Sequence, residues 1–237
     1  MQVFVINLER RRDRRQLISE QLTTFGMDFK FIKAVDFKEI DITDATRPFL
    51  SRLFRGFKET NPAPVAIFLS HKSIWQEIVD TGIPYALILE DDAGFVDWDS
   101  GILQVKLENY KLDMLRLGAG SLENSVTKKP LKISGIQILG RNLSFDQTAG
   151  ACAYIVTKEG ASKMLKCRKF YFPVDAFHAW NKFYRLRSAL LTPFMISQID
   201  STSDRQQAKK LRKYLFGKSL MRFFVRYAIN RHLSTNQ

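Results

Sequence analysis

Short uninterrupted apolar runs alternate with segments of helical spacing along the first part of this chain. Residues 3–6 and 84–89 are continuous apolar runs, the pattern of strands buried on both faces of a parallel sheet. Residues 8–25 and 65–81 carry apolar side chains at helical spacing, and residues 29–35 form another apolar run. The resulting order of strands and helices predicts an α/β fold with a mostly parallel, Rossmann-type sheet flanked by helices.

The remaining segments predict shorter elements around this sheet. A polar stretch over 36–64 predicts a long loop of the kind that often forms a lid. The other predicted elements are strands over 113–117 and 151–156, helices over 103–110, 158–167 and 177–186, and a hairpin within 126–142.

The positive charge of the chain is large and is concentrated near its end. The formal net charge is +13, and residues 205–231 contain many Lys and Arg residues but no Asp or Glu. Apolar residues recur there at roughly helical spacing, so we expect a basic amphipathic helical tail over 204–237 behind a domain over 1–203. Such a tail suits peripheral contact with an anionic membrane, and a nucleic-acid-binding protein is the rival interpretation.

The sequence has no apolar stretch of the roughly 20 residues needed to span a bilayer. Its first residues lack the basic and long apolar regions of a signal peptide. We therefore expect a cytoplasmic protein, peripheral to the inner face of the cytoplasmic membrane, with Cys152 and Cys167 as reduced thiols.

Three successive carboxylates, Glu90, Asp91 and Asp92, follow directly on the apolar run 84–89. Adjacent carboxylates repel one another, and they gain nothing from burial unless a cation compensates them. Ligands of open α/β sheets bind beyond the carboxyl ends of the strands, and oxygen ligands there suit Mg²⁺ or Mn²⁺. A solvated acidic loop is the alternative, and a metal-dependent nucleotidyltransferase or nuclease would use a similar carboxylate pair.

A set of short motifs runs in order from residue 1 to about 203: residues 5–8 with Arg14, 33–36, 69–71 with Ile74 and Trp75, 89–92, 150–156 and 173–175. In this order the motifs resemble those of glycosyltransferase family 25, the lipopolysaccharide and lipooligosaccharide galactosyltransferase family. Residues 41–58 and the basic tail do not resemble the family.

The resemblance implies a GT-A-like fold and an inverting transfer of a hexose, most often galactose, from a UDP-sugar donor. The acceptor would be a lipooligosaccharide or lipopolysaccharide sugar on a glycolipid, with Mn²⁺ or Mg²⁺ as cofactor. We expect no nucleic acid as partner, because the sequence has no recognised nucleic-acid motif and the acidic triplet would repel phosphates without a metal. An inactive glycan-binding relative is a further possibility within the same family.

The roles of the acidic residues follow from this resemblance. We expect Asp92 to be the main metal ligand, with Asp91 assisting it or holding the ribose, and Glu90 orienting the cluster from behind. The other expected donor-binding residues are Asn7, Leu8, Arg14, Ala34, Asp36, Ser70, His71 and Gly150. Asp36 could instead be an ordinary turn residue, and His71 a core histidine.

A one-step inverting transfer needs a general base on the acceptor hydroxyl. Asp175, in the family-like Pro-Val-Asp segment, is the first candidate for this catalytic role, and capping of the following helix is its alternative. His178 is the second candidate for the base, because its side chain has a near-neutral pKa in isolation.

Overall fold

The structure is a computed structural model that describes residues 1–40, 63–118, 131–133, 136–139, 150–168, 170, 173–192 and 194–199. The described strands are β1 (Gln2–Asn7), β2 (Phe29–Lys33), β3 (Tyr85–Glu90), β4 (Ala93–Phe95), β5 (Met114–Arg116), β6 (Leu131–Ile133), β7 (Ile136–Leu139), β8 (Ala153–Thr157), β9 (Ser188–Thr192) and β10 (Ile196–Gln198). The described helices are α1 (Arg12–Thr24), α2 (Ala63–Thr81), α3 (Lys158–Leu165) and α4 (Phe177–Phe183).

Eight of the described strands form one sheet in the order β2-β1-β3-β8-β5-β9-β7-β6. The pair β1–β2, the pair β1–β3 and the pair β5–β9 are parallel, whereas β8 runs antiparallel to both β3 and β5. β7 is antiparallel to β9 and β6, so β7 and β8 are reversed and the other six strands share one direction. The predicted α/β class with a mostly parallel sheet is therefore confirmed.

The strand directions bring several strand ends to one edge of the sheet. The carboxyl ends of β1, β2, β3 and β5 meet there, and the amino end of the reversed β8 joins them. We call this the carboxyl edge, and its residues are Asn7, Lys33, Glu90, Arg116 and Ala153.

Helices cover both faces of the sheet because the side chains of each strand alternate between the faces. In β1, Val3 and Val5 belong to the core cluster of the face covered by α1. Phe4 and Ile6 belong to the cluster of the opposite face, covered by α2, α3 and α4. Both faces of β1 are buried, which explains why its sequence is continuously apolar rather than alternating.

The predicted helix over 103–110 is wrong. The structure has two short 3₁₀ turns there, over Ser100–Gln104 and Leu107–Tyr110, with Val105 extended between them. Ile102 and Leu107 are both fully buried in the same cluster. Val105 and Lys106 both have extended backbone, and this interrupts any continuous helix through 103–110.

Most of the other predicted elements are confirmed, with boundaries shifted by a few residues. α2 begins two residues before its predicted start, α1 begins at Arg12 rather than at residue 8, and the predicted hairpin is present as β6 and β7. The strands β4, β9 and β10 were not predicted. Most of the predicted loop over 36–64 and all of the tail over 204–237 lie outside the described residues.

Within the described ranges, no helix is both long and apolar enough to cross a membrane. Cys152 and Cys167 are buried free thiols, as the sequence predicts.

A cluster of charged side chains around a buried aspartate lies at the edge of the sheet opposite the carboxyl edge. The side chain of Asp113 is 0% exposed and accepts hydrogen bonds from Arg187 and from Lys163, the latter at 2.8 Å. Burial alone would raise the pKa of Asp113, but the hydrogen bonds from Arg187 and Lys163 outweigh it and lower the pKa below its ordinary value. The ionised carboxylate therefore stabilises the fold.

We expect Asp113→Asn to lower the free energy of unfolding by about 2–3 kcal/mol at neutral pH. This loss is below the roughly 3–5 kcal/mol of a fully buried pair, because both cations reach solvent. The pKa of Asp113 is lowered in the folded state. The difference in unfolding free energy between Asp113→Asn and the wild type is therefore complete above the ordinary pKa of 3.8, and it shrinks as the pH falls below that value. Urea unfolding across pH 3–7 measures this stability difference, with Glu108→Gln at an exposed position as control. A stability difference that does not change with pH would contradict the prediction.

Candidate functional site

The predicted acidic cluster lies at the carboxyl edge, next to the end of β1. The register of β1 and β3 pairs Ile6 with Glu90, so Asn7 lies beside the residues that follow β3. The amide of Asn7 donates a hydrogen bond from Nδ2 to Asp91 Oδ2 at 2.8 Å. The structure thus brings together two residues that the sequence predicted separately, 84 positions apart.

Arg14, in the first turn of α1, is the counter-ion of the acidic cluster. Its Nη1 donates to Asp91 Oδ1 at 3.0 Å and lies 3.2 Å from Asp92 Oδ2. All three side chains are largely buried, so water screens these ion pairs only weakly. The sequence analysis assigned Arg14 to a phosphate of the donor; that contact stays a prediction, and in the structure the guanidinium binds the acids.

Asp92 is the most deeply buried carboxylate of the cluster. Its Oδ2 also accepts a hydrogen bond from Gln198 Nε2 at 2.7 Å, and its backbone carbonyl accepts from Ile199 N at 2.8 Å. Burial raises the pKa of Asp92 to about 6, the charge of Glu90 adds to this, and Gln198 and Arg14 oppose it. The sequence analysis missed Gln198, because the short pair β4–β10 that delivers it has no signal in the sequence.

Two acceptor oxygens in this cluster have no hydrogen-bond donor within the described part of the chain. They are Asp92 Oδ1 and Asn7 Oδ1, and both are buried. Leaving a buried acceptor unsatisfied costs about 1–3 kcal/mol, and more for a charged group. The pair of oxygens is therefore suited to a ligand that supplies a cation or hydrogen-bond donors.

The described residues fit a divalent ion only if the protein supplies few of its ligands. They include no group of three or more His, Cys, Asp or Glu side chains arranged to hold a metal. Both oxygens of Asp91 are already hydrogen-bonded, to Asn7 and Arg14, which leaves Asp92 Oδ1 as the open carboxylate oxygen of this pair. Mg²⁺ is commonly held by one or two carboxylates together with water and substrate phosphates, and this donor set suits that mode.

Ser70 and His71 lie behind the carboxyl edge, in the core. Ser70 Oγ donates to Ala66 O at 2.8 Å and accepts from Val35 N at 2.9 Å, so it holds the chain that leaves β2. His71 is 1% exposed, and its Nε2 lies 3.4 Å from Glu90 Oε1. Both residues were predicted to bind the donor. Their side chains are buried in the core, and their direct contact with the donor stays a prediction.

The residues that follow β1 and β2 form a second part of the edge. Ala34 N donates to Asn7 O at 2.9 Å, which carries the pairing of β1 and β2 one residue further. Asp36 accepts from Arg10 Nε at 2.7 Å and from Lys38 N at 3.0 Å. Asp36 is thus a turn residue in the structure, and Leu8 packs partly buried beside the core. Their predicted contacts with a nucleotide stay predictions.

Asp175 and Gly150 meet at the other end of the carboxyl edge. Gly150 N donates to Asp175 Oδ2 at 3.3 Å. The alternative in which Asp175 caps α4 is wrong, because the N-cap residue is Ala176 and no side chain bonds the helix start. His178 is the second residue of α4, and its side chain lies outside the described part of the structure.

Arg116, at the end of β5, is a site residue that the sequence analysis missed. Its side chain is buried, donates from Nη2 to Gly150 O at 2.9 Å, and lies over the ring of Phe177 at 4.2 Å. Burial lowers the pKa of Arg116 to about 10, and the charge of Asp175 partly opposes this. A lone arginine in an apolar strand is the signal that could have identified it, since buried charges are usually paired.

The thiol of Cys152 is influenced by the charges of both the acidic cluster and Arg116. Burial raises the pKa of its thiol to about 12, and the charges of Glu90 and Asp92 add to the effect while Arg116 opposes it. Cys152 directly precedes β8, the strand between β3 and β5, and its thiol stays protonated at neutral pH.

We expect Arg14→Gln to lower the free energy of unfolding by about 2–4 kcal/mol, because two nearly buried aspartates lose their counter-ion. Arg12→Gln, on an exposed position of the same helix, is the matched control and should change stability by less than about 0.5 kcal/mol. Chemical denaturation in metal-free buffer measures both variants. Equal stability of the two variants would show that Arg14 does not compensate the acids.

Comparison with known proteins agrees with the resemblance seen in the sequence. The family model described as glycosyltransferase family 25 (LPS biosynthesis protein) matches residues 1–178. Procollagen galactosyltransferase 1-B of Xenopus laevis is 28% identical over 190 residues, covering 74% of this chain and 30% of that protein. Inactive glycosyltransferase 25 family member 3 of Homo sapiens is also 28% identical, covering 74% of this chain and 31% of that protein.

The chain thus matches only about 30% of the length of these curated relatives. Among solved structures, a glycosyltransferase involved in the glycosylation of the major capsid of PBCV-1 is similar, with a TM-score of 0.44 and 11% identity. That match covers 89% of this chain and 98% of the other. The family model spans about three quarters of the 237 residues, and the chain therefore belongs to glycosyltransferase family 25.

Proposed function

We propose that this protein transfers a hexose, with galactose as the first candidate, from a UDP-sugar to an acceptor hydroxyl. The observation that carries the proposal is the buried Asp92 Oδ1, an acceptor oxygen with no donor in the described structure, at the carboxyl edge of the sheet. Ligands of α/β sheets bind at such an edge. Family membership supports glycosyl transfer, and the name of the Xenopus laevis relative supports galactose as the sugar.

The nucleotide would lie along the ends of β1, β2 and β3. Asn7 Oδ1 is a buried acceptor with no donor in the described residues, and it suits a hydroxyl or an N–H of the nucleoside. Ala34 and Asp36 follow the adjacent β2 and would border the same part of the ligand. Leu8 would supply apolar surface there.

A divalent ion, Mn²⁺ or Mg²⁺, would be held by Asp92, with Asp91 and Glu90 contributing charge nearby. The chemistry it supplies when bound is neutralisation of the negative charge on the departing diphosphate. Arg14 already lies between Asp91 and Asp92 and would add a second positive charge close to that diphosphate. The burial of all these groups strengthens such interactions relative to water.

Asp175 would act as the general base of a one-step inverting transfer. Its carboxylate would accept the proton of the acceptor hydroxyl while the acceptor oxygen bonds to the anomeric carbon and the bond to the diphosphate breaks. Gly150 N–H holds one oxygen of Asp175, and Arg116 in turn holds Gly150. These two hydrogen bonds would hold the Asp175 carboxylate toward the acceptor. Gly150 has no side chain, so the sugar could come close to the backbone there.

The acceptor we propose is a sugar of a lipooligosaccharide or lipopolysaccharide, presented on a glycolipid at the inner face of the cytoplasmic membrane. Two observations support it: the family description names lipopolysaccharide biosynthesis, and the net charge of +13 suits an anionic membrane. The basic residues 205–231 would make the peripheral contact.

Asp92→Asn should lower kcat/KM for UDP-galactose by at least about 100-fold, because several kcal/mol of charge stabilisation depend on this carboxylate. The measurement is UDP release with Mn²⁺ present and after chelation, and chelation should have little further effect on Asp92→Asn. Asp97→Asn, at an exposed position on the same segment, is the control and should behave as the wild type.

Turnover that survives both chelation and Asp92→Asn would contradict the metal assignment. Binding of UDP-galactose without any release of UDP, in the presence of acceptor, would indicate a non-catalytic glycan-binding protein instead.

Asp175→Asn should lower kcat by about 10²–10⁴-fold, the usual contribution of a general base, with a much smaller effect on KM for the donor. His178→Gln measures the rival candidate under the same conditions. The acid limb of the pH–rate profile should disappear in the variant of the true base and persist in the other. A full loss of activity in His178→Gln together with an active Asp175→Asn would exchange the two assignments.

A further inference from the structure

A buried chain of four polar side chains leads from the core to the acidic cluster. Trp75 Nε1 donates to Tyr154 Oη at 3.0 Å, and Tyr154 Oη lies 2.8 Å from His71 Nδ1. His71 Nε2 is 3.4 Å from Glu90 Oε1 at the other end. Trp75, Tyr154 and His71 are at most 1% exposed, so the chain is shielded from water until it reaches Glu90.

The direction of these hydrogen bonds follows from the groups themselves. The indole N–H of Trp75 can only donate, so Tyr154 Oη accepts from it. Within the described part of the chain the hydroxyl has one other partner, His71 Nδ1, so its own proton points there. His71 Nδ1 is then the acceptor, which leaves the imidazole proton on Nε2, facing Glu90.

The surroundings make this arrangement rigid. The rings of His71 and Tyr154 are stacked, with centroids 5.7 Å apart and an interplanar angle of 22°. Burial raises the pKa of Tyr154, so the phenol keeps its proton and its donor role. Glu90 N donates to Cys152 O at 2.8 Å, which fixes the backbone of Glu90 and leaves its side chain to be held by His71 and its other neighbours.

We propose that His71 is a positioning residue: Tyr154 holds it as the Nε2–H tautomer, and its N–H orients the Glu90 carboxylate beside Asp92. The inference rests on the proposed function, in which Glu90 contributes negative charge near the divalent ion that Asp92 would hold. It differs from direct donor binding by His71, since the histidine acts through Glu90. Glu90 ends β3 and Asp92 follows two positions later, so both carboxylates lie at the carboxyl edge.

The tautomer can be tested without any ligand. The ¹⁵N chemical shifts of the imidazole in the full-length metal-free protein should show a protonated Nε2 and an unprotonated Nδ1. Comparison with His71→Asn assigns the signal among the three histidines. Tyr154→Phe should weaken the preference for this tautomer and move the two ¹⁵N shifts toward each other, whereas Trp75→Phe should keep the shifts of the wild type, because the tyrosine can still donate to Nδ1.

The positioning role is tested by two substitutions that keep different parts of the imidazole. His71→Gln places an amide N–H near the position of Nε2, whereas His71→Asn reaches only the position of Nδ1. We expect His71→Asn to weaken binding of UDP in the presence of Mn²⁺ by about 10–100-fold, the usual effect of removing a residue that orients a metal ligand or its neighbour. His71→Gln should stay within about threefold of the wild type, and isothermal titration calorimetry measures both.

A purely structural role gives a different pattern. It predicts that the melting temperature falls while the affinity for UDP changes equally in both histidine variants. A proton on Nδ1, or UDP affinities that are equal in His71→Asn and His71→Gln, would overturn the proposal. If the wild-type protein does not bind UDP, the proposed function fails and the positioning role fails with it, while the tautomer is still decided by its own chemical shift.

Discussion

The compensation of three successive carboxylates at the end of a buried strand is the constraint on which the site depends. Glu90, Asp91 and Asp92 cannot leave the edge of the sheet, because β3 is paired on both sides by β1 and β8. The protein compensates them with Arg14, Asn7 and Gln198, each brought from a different element. One carboxylate oxygen, Asp92 Oδ1, has no donor among the described residues, and the proposed chemistry begins at this oxygen.

The same arrangement explains how the fold and the site depend on each other. Arg14 reaches the acids because α1 starts directly beyond β1, and Gln198 reaches them because β10 pairs with β4. On the other side of the edge, Arg116 holds Gly150 and Gly150 holds Asp175. The proposed donor and acceptor sides are thus two networks built on β3 and β5 of one sheet, with the reversed β8 between these strands.

Local pattern was enough to predict the first half of the sheet and the acids at its edge. Continuous apolar runs such as β1 and β3 need burial on both faces, and the place of Glu90, Asp91 and Asp92 follows from where β3 ends. The partners of those acids could not be predicted, since Arg14 and Gln198 come within reach only through long-range pairing and packing. Arg116 was missed for the same reason: its partners Gly150 and Phe177 are far away in the sequence.

The most direct test of the account is to locate the metal in a crystal of the protein grown with UDP and Mn²⁺, using anomalous diffraction at the manganese edge. The account predicts an anomalous peak within about 2.0–2.3 Å of an oxygen of Asp92 and next to the diphosphate of UDP, a distance typical of hard divalent cations with oxygen ligands. Ordered UDP at the carboxyl edge with no manganese peak near Asp92, or a peak at another site on the protein, would contradict it.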